Sequence, residues 1–362
     1  MNAVVNILSI ILRPLSYVYG LGACFRRLFY GTFGLRKPGS IDSWVIGNLS
    51  VGGSGKTPLV IELSKMLYER GMMDKKLAVL SRGYGRNTRG FLEVNELDSD
   101  RFGDEPCELF MELGGMLDVG VFVGEDRLFA IDALRDLDYG LVFLDDGMQH
   151  LPLKAKGYVL ATNYHCLPDE DWCMPSGRLR EFPFCTEQVD FVVVTKCPTL
   201  TEESRLGIVQ RLGSLLKLEY RKEANRRILF SGLGFDVFGV DTSTGNLVKA
   251  EDVPVTKLDC FAICGIAHGV RAVESWKSMF NIREFKTYSD HRRFCRNDVL
   301  SWVSRMKELG VSDFVCTRKD WMRLVSYRSD FAEDMSIWVV GSRPVFLSDS
   351  SEVDFMMDEI SK

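Results

Sequence analysis

The sequence predicts an α/β protein: a parallel sheet covered by helices on both faces, plus a second, smaller α/β domain joined to it through a β-hairpin linker. Three observations predict this class. Short, almost wholly apolar runs alternate with helical stretches, polar residues follow the ends of those runs, and a turn-rich segment separates two such series. Strands that are apolar along their whole length are typical of parallel sheets, because crossover helices bury both faces.

The first series predicts six strands, since each run is short and rich in β-branched or aromatic residues. They are WVIGNL, LAVLS, GVFVG, LVFLDD, YVLATN and FVVVTK, with helices at about 58–70, 105–113, 125–137 and 201–216. The second series comprises LDCFAICGI, EFKTY, DFVCT and IWVVG, with helices near 270–280 and 297–309. The predicted units are an N-terminal helical segment at 1–37, a core domain at 38–233, a two-stranded linker at 234–256 and a C-terminal domain at 257–362.

Composition sets broad limits on function. The chain has 362 residues, enough for two domains, and its 46% hydrophobic and 26% charged residues are those of an ordinary globular protein. A net charge of -5 gives no reason to expect nucleic-acid binding. Ten scattered cysteines without a CxxC pair, and only four histidines, argue against a zinc site or a disulfide framework. We therefore expect reduced thiols in a cytosolic setting.

Residues 1–37 contain five basic residues and no acidic one. Arg13-Pro14 ends the first apolar run after twelve residues, whereas a membrane span needs roughly 20. No basic residue precedes the run, as one would in a secretory signal. A helix or helix pair with aromatic residues and a basic rim suits the interface of an anionic membrane. The alternative, a helix packed on the protein's own core, has the same amphipathic pattern.

A glycine-rich loop, GNLSVGGSGKTP, follows the first predicted strand and precedes a helix. Glycines let backbone N–H groups converge on phosphate oxygens, and the helix N-terminus adds positive potential. Lysine would reach the terminal phosphates and threonine could ligate Mg²⁺, as in a P-loop NTPase-like sheet. The nucleotide-binding residues would be Gly52, Gly53, Ser54, Gly55, Lys56 and Thr57. The strict pattern has glycine where Ser50 stands, and the alternative is a glycine-rich turn with an exposed lysine.

The run LVFLDDGMQH ends in Asp145 and Asp146, the carboxylates that a phosphate loop requires near its metal ion. Adjacent acids at a strand end are weak evidence alone, because aspartate is common in turns. Together with Lys56 and Thr57 they are stronger evidence. His150 follows, and taken alone it could equally be a structural histidine.

A kinase also needs a base and a place for its acceptor. GDEP offers Asp104 and Glu105 at a predicted helix start, although the local pattern slightly favours Asp104 as a helix cap. The loop SRGYGR could bind an anionic substrate or be a solvated turn. The remaining candidates are Arg82 and Tyr84 of that loop, Arg180 and Glu181 of PSGRLRE, and Asp290 and His291 of YSDHRRF.

In this order, GNLSVGGSGKTP, SRGYG, GDEP, DDGMQH, PSGRLRE, SDH and CTRKD resemble the tetraacyldisaccharide 4'-kinases of lipid A biosynthesis over nearly the whole chain. That family normally has serine or threonine where Ser50 stands. The resemblance implies a P-loop kinase that moves the γ-phosphate of ATP, with Mg²⁺, to the 4'-hydroxyl of a tetraacyldisaccharide 1-phosphate. It implies a peripheral or monotopic protein at the cytoplasmic face of the bacterial inner membrane. The lipid and the membrane surface are then the expected partners, with neither nucleic acid nor an obligatory protein partner.

The resemblance also implies roles for residues. Asp104 would be the catalytic aspartate assisted by His291, with domain closure bringing the two together. Lys56 would act on the phosphates. The metal set would be Thr57, Asp145, Asp146 and Glu181, and the substrate set would be Arg82, Tyr84, Glu105, His150 and Arg180.

Two departures from the family pattern, and two rival functions, stay open at this point. Arg318 stands where an acid is usual, and the segment 265–270 lacks a usual proline. An NTPase switch would hydrolyse nucleotide without regard to lipid and would leave the apolar N-terminus without a purpose. A binding protein that has lost catalysis should have lost at least one of Lys56, Thr57, Asp104 or Asp145.

Overall fold

The structure is a computed structural model that describes residues 2–186, 189–221, 223–250, 258–266, 269–289 and 292–362. Every strand predicted from an apolar run is present. The strands are β1 (Lys37–Pro38), β2 (Asp42–Gly47), β3 (Lys76–Ser81), β4 (Leu92–Glu93), β5 (Val119–Val123), β6 (Tyr139–Asp145), β7 (Leu153–Lys154), β8 (Gly157–Asn163), β9 (Phe191–Thr195), β10 (Ile228–Val240), β11 (Leu247–Lys249), β12 (Asp259–Cys264), β13 (Asn281–Thr287), β14 (Asp313–Thr317) and β15 (Ser336–Phe346).

The predicted helices are also present, within a few residues of their expected bounds. The helices are α1 (Asn2–Thr32), α2 (Lys56–Glu69), α3 (Ser99–Phe102), α4 (Asp104–Leu113), α5 (Arg127–Asp136), α6 (Glu202–Leu215), α7 (Gly269–Trp276), α8 (Arg296–Leu309), α9 (Arg318–Leu324) and α10 (Ser350–Ser361). The sequence patterns did not predict α3, α9 and α10.

The sheet runs unbroken through both halves of the chain, in the order β13-β12-β14-β15-β10-β9-β8-β2-β6-β3-β5-β4. It is mostly parallel, and the antiparallel pairs are β4 with β5, β10 with β11 and β10 with β15. Strand β10 pairs with β9 through its first residues and with β15 through the rest. It also forms the expected hairpin with β11, but part of the predicted linker, 251–256, lies outside the described residues. The division into domains stays a prediction.

Helices cover both faces of the sheet, as the apolar strands predict. One continuous core under α2, α4, α8, α9 and α10 extends from Ile46 and Leu63 in the first half to Phe314 and Val353 in the second. Helices α5 and α6 bury Ile131 and Leu212 on the opposite face of the first half. Parallel strands β2, β6 and β3 therefore end at one edge, where the loops that carry the candidate residues begin.

Helix α1 lies against residues 172–185 by a narrow strip of its surface. Ser16 and Gly20 are buried there, Tyr17 meets Trp172 edge to face at 5.5 Å, and the Ser16 hydroxyl accepts a hydrogen bond from the Ser176 amide at 2.9 Å. Many of the other described side chains of the helix are apolar and exposed, among them Ile11, Leu15, Val18, Leu21, Phe25, Leu28 and Phe29. Within the described residues, no helix combines the length and the hydropathy needed to cross a bilayer.

The expectation that all cysteines are free thiols is wrong for one pair. Cys24 of α1 and Cys185 form a disulfide, with their Cα atoms 5.8 Å apart. The two residues are 161 positions apart in sequence, so no spacing pattern could have indicated the pairing. Packing of α1 along residues 172–185 brings them together.

Gly20 tests how closely α1 approaches the core. A Cβ at Gly20 would overlap the ring of Phe182, whereas a Cβ at Gly31 of the same helix meets nothing within 4 Å. By helix propensity alone, replacing glycine by alanine should stabilise the helix at either site by up to about 1 kcal/mol. Only at Gly20 should overpacking oppose this, at about 1–3 kcal/mol. We expect Gly20→Ala to be less stable than Gly31→Ala in urea unfolding. Equal stability would show that α1 does not pack this closely.

Candidate active site

The glycine loop connects β2 to α2, and Lys56 is the first residue of that helix. Gly52 and Gly55 have φ values of 110° and 81°, which L side chains rarely adopt. The loop is held by a short pairing with a distant segment: the Val51 amide donates to the Arg178 carbonyl at 2.8 Å, and the Arg180 amide donates to the Leu49 carbonyl at 2.7 Å. This pairing brings Arg180 and Glu181, both candidate site residues, beside the loop.

Asp145 ends β6 next to β2 and is 1% exposed. Among the described residues, neither carboxylate oxygen of Asp145 has a hydrogen-bond partner. Burial raises its pKa to about 8, with Glu105 adding to the rise and Lys56 opposing it. The charges of Lys56 and Arg127 offset this burial only in part, and a divalent cation would supply further positive charge. Asp145 thus fits the predicted role of metal ligand, and the buried Thr57 of the adjoining helix start can accompany it.

Asp146 has a different environment, although it is the next residue. Its carboxylate pairs with the Lys56 ammonium at 3.1 Å and accepts from the Arg180 guanidinium at 3.0 Å through both oxygens. Burial opposes ionisation of Asp146, but Lys56 and Arg180 outweigh burial and hold its pKa below the ordinary value. Asp146 holds the lysine in place in this structure, so its predicted role as a metal ligand stays a prediction.

Three side chains that the sequence analysis missed brace the loop and its lysine. Asn48 Oδ1 accepts from Lys56 Nζ at 3.2 Å. The Thr195 hydroxyl donates to the Ser54 carbonyl at 2.7 Å, and the Lys196 ammonium donates to the Gly53 carbonyl at 2.8 Å. Both come from the end of β9, so the rule that ligands bind at strand ends could have indicated them.

Asp104 is the first residue of α4 rather than its cap, which is Gly103. The slight preference for a cap was therefore wrong. Asp104 instead pairs with Arg323 of α9, in the second half of the chain, whose Nε lies 2.7 Å from Oδ2. Arg323 is 8% exposed and also donates to the Gly265 carbonyl at 3.1 Å. Sequence reasoning missed Arg323 because it lies in an unpredicted helix.

Two neighbouring residues of α9 also contact α4. Lys319 Nζ lies 3.4 Å from Glu105, and Arg318 Nη2 lies 2.7 Å from Glu112. Arg318, the residue in place of the usual acid, therefore joins the second half of the chain to α4. In this structure it forms an ion pair within the protein.

The loop 82–86 packs against the start of α4 by close backbone contact. A Cβ at Gly83 or Gly103 would lie 2.9 Å from the carbonyl oxygen of Phe102 or Tyr84 respectively, so both positions require glycine. Arg82 is exposed and Tyr84 is 75% exposed, so both side chains are accessible at the edge of the site.

His150 is half-buried at the same edge. Burial lowers its pKa to about 4, helped by the nearby Arg127, so the imidazole is neutral at pH 7. Arg127 itself is 2% exposed and donates to the Ser81 carbonyl at 3.1 Å, and the sequence analysis missed it. His291 and Asp290 lie outside the described residues, so the pairing of His291 with Asp104 stays a prediction.

Glu181 is 4% exposed and is held by Arg27 of α1. Arg27 Nε and Nη2 each donate to one oxygen of Glu181 at 2.8 Å. A cavity of about 520 Å³ adjoins this pair, between α1 and the core. It is lined by apolar residues such as Val18, Tyr19 and Leu151 and by Arg180 and Glu181. An amphipathic ligand could thus reach the charged groups from the exposed face of α1.

The fold and the site together define an α/β protein with a mostly parallel sheet whose charged groups gather where the strands end, the usual ligand edge in this class. Residues 8–361 match the family described as Tetraacyldisaccharide-1-P 4'-kinase. The chain belongs to this family of kinases, and the resemblance seen in the sequence is confirmed.

Relatives cover most of the chain. The Tetraacyldisaccharide 4'-kinase of Porphyromonas gingivalis is 31% identical over 334 residues, which are 90% of this chain and 88% of the relative. That of Flavobacterium johnsoniae is 32% identical over 327 residues, 88% of each protein. The crystal structure of "apo" form LpxK from Aquifex aeolicus in complex with ATP superposes with a TM-score of 0.71. It covers 98% of this chain and 100% of that chain at 23% identity, so it shows the same fold.

The environment of Asp145 predicts how stability depends on pH. The pKa of about 8 lies above the ordinary value near 3.9, so between these pH values the folded protein binds a proton that the unfolded chain lacks. The contribution of this proton to the free energy of unfolding is at its maximum below about pH 4 and is lost as the pH rises to about 8. Asp145→Asn removes it.

We therefore expect Asp145→Asn to gain stability over the wild type as pH rises from 5 to 8, by on the order of 1 kcal/mol or more. Urea unfolding in metal-free buffer measures the difference, with the exposed Asp100→Asn as control. A difference that stays the same at both pH values would contradict the assigned environment.

Proposed function

We propose that this kinase transfers the γ-phosphate of ATP to the 4'-hydroxyl of a tetraacyldisaccharide 1-phosphate, with the loop Gly52–Thr57 as its nucleotide site. The proposal is carried by the coincidence of the family match with an intact set of charged groups. Lys56 starts a helix behind the loop, and Asp145 is buried beside it without a hydrogen-bond partner among the described residues. Phosphoryl transfer needs mainly such positioning and charge neutralisation.

The nucleotide phosphates would bind at the loop. Backbone N–H groups of Gly52–Thr57 and the N-terminus of α2 attract phosphate oxygens. Lys56 would exchange Asp146 for the terminal phosphates, and Arg180 would remain to neutralise Asp146. Asp145 and Thr57 would hold Mg²⁺, which when bound neutralises charge on the phosphates. Gly53 and Ser54 stay fixed through their contacts with Lys196 and Thr195.

Asp104 would accept the proton of the sugar hydroxyl as that oxygen attacks phosphorus. Its ion pair with Arg323 orients the carboxylate from the second half of the molecule, and Lys319 does the same for Glu105. Arg82 and Tyr84 are accessible to an anionic acceptor. The cavity between α1 and the core offers the lipid an apolar path to this edge.

The direct test is transfer of labelled γ-phosphate from ATP to the lipid acceptor in detergent with Mg²⁺, beside a sample without lipid. Labelled lipid is the expected product. Phosphate released equally without lipid would instead indicate an NTPase switch, and no turnover would indicate a binding protein.

We expect Asp104→Asn to lower kcat by roughly 10²–10⁴-fold, the usual contribution of a general base, with little change in the KM for ATP. Lys56→Ala should instead weaken ATP as well as turnover, because it removes the phosphate contact. Asp100→Asn, an exposed acid four residues away, is the control. A kcat of Asp104→Asn equal to that of the control would remove Asp104 from the role of base.

We also propose that α1 binds the cytoplasmic face of the inner membrane. Its apolar face is exposed, with Phe25 69% and Leu28 66% accessible, and the helix contains basic but no acidic residues. This combination suits an interfacial helix on anionic lipid.

Replacing Phe25 and Leu28 together by serine should lower partitioning to vesicles that contain anionic lipid by about tenfold or more, because two buried apolar side chains are lost. Flotation with vesicles measures this, and Leu117→Ser is the control, since Leu117 is even more exposed, at 77%, but lies outside α1. Unchanged partitioning of the double variant would exclude this face as the membrane contact.

A further inference from the structure

Arg27 is the basic side chain of α1 that turns inward. Among the described side chains of this helix, Arg13 and Arg26 are exposed whereas Arg27 is 8% exposed. Besides the two bonds to Glu181, its Nη2 donates to the Met148 carbonyl at 3.2 Å. A forked pair of charge-assisted hydrogen bonds is a directional contact, which a membrane-facing arginine does not need.

Glu181 continues the contact toward the phosphate loop. Its Oε1 accepts from Gln149 Nε2 at 3.2 Å, and Gln149 Oε1 accepts from Arg180 at 3.0 Å. Arg180 in turn holds Asp146, which pairs with Lys56. A chain of contacts of 3.2 Å or less therefore connects α1 to the lysine of the loop.

The charge of Arg27 decides how this chain is arranged. Glu181 is buried, and a buried carboxylate that loses its partner must recruit another cation, take up a proton or remain uncompensated. The guanidinium of Arg180 is a cation within reach. Arg180 is adjacent in sequence and already shares Gln149 with Glu181. If Arg180 turned to Glu181, Asp146 would keep Lys56 as its partner and hold it more tightly. The lysine would then be less available to phosphates.

We propose that Arg27 is a positioning residue of the kinase: by neutralising Glu181 it keeps Arg180 on Asp146 and thereby frees Lys56 for the nucleotide. This inference rests on the proposed function of the loop. Arg27 is one of several contacts that dock α1, since the disulfide of Cys24 and the ring contact of Tyr17 with Trp172 hold the helix independently. Loss of Arg27 should therefore leave α1 docked while the loop changes.

The test compares Arg27→Gln with Arg13→Gln in the full-length protein. Both variants remove one positive charge from α1, but Arg13 stacks on Trp172 at 4.8 Å and lies outside the chain of contacts. We expect Arg27→Gln to lower kcat at least tenfold and to raise the dissociation constant of a fluorescent ATP analogue. Its partitioning to anionic vesicles should be no weaker than that of Arg13→Gln, because Arg13 is exposed and Arg27 is buried. Equal kcat and equal nucleotide affinity in the two variants would overturn the proposal.

Two further variants separate charge balance from folding. Arg27→Lys keeps the charge and should stay within about threefold of wild-type kcat, and a loss as large as that of Arg27→Gln would overturn the argument. Adding Glu181→Gln to Arg27→Gln removes both charges and should restore most of the lost affinity for the ATP analogue measured without metal, since Arg180 is then no longer drawn away from Asp146. No recovery of that affinity would overturn the proposal. If the wild type transfers no phosphate to lipid, the proposed function fails, while nucleotide affinity still tests Arg27.

Discussion

The burial of Asp145 at the end of β6 is the constraint on which the rest of the site depends. A carboxylate that is 1% exposed and has no hydrogen-bond partner among the described residues must either take up a proton or lie near positive charge. Lys56 and Arg127 provide that charge in the structure, and Lys56 is shared with Asp146. The ion pairs continue from there: Asp146 also pairs with Arg180, and Glu181, the next residue, pairs with Arg27 of α1. The site is therefore a network of charged groups linked pair by pair from Lys56 to α1.

The two halves of the molecule are joined through a shared sheet, a shared core and ion pairs near the candidate site. Strand β10 belongs to the sheet of both halves, and the core under α2 extends into the second half. Helix α9 contributes Arg323 to Asp104, so an acid of the first half is oriented by a cation of the second. Any closure between the halves must therefore also twist the shared sheet.

Local pattern was enough to predict most of the fold and the centre of the site. Apolar runs located every strand of the two predicted series, because strands buried on both faces leave a continuous signal in the sequence. Lys56 and Asp145 were predictable because loop and strand end are local features. Arg27, Arg323 and the Cys24–Cys185 bond were not, because each depends on a partner more than 150 residues away. The amphipathic pattern of α1 could not show which arginine turns inward.

The contacts between α4 and α9 also limit how this sequence can change. Arg318 is 4% exposed and lies against Glu112 at 2.7 Å and Glu108 at 4.0 Å. An acid at position 318, as the family pattern commonly has, would here place three carboxylates together away from water. The charge at 318 and the charges on α4 must therefore be inherited as a matched set. Among close relatives, an acid in place of Arg318 should therefore occur together with the loss of acidic residues at the positions of Glu108 and Glu112.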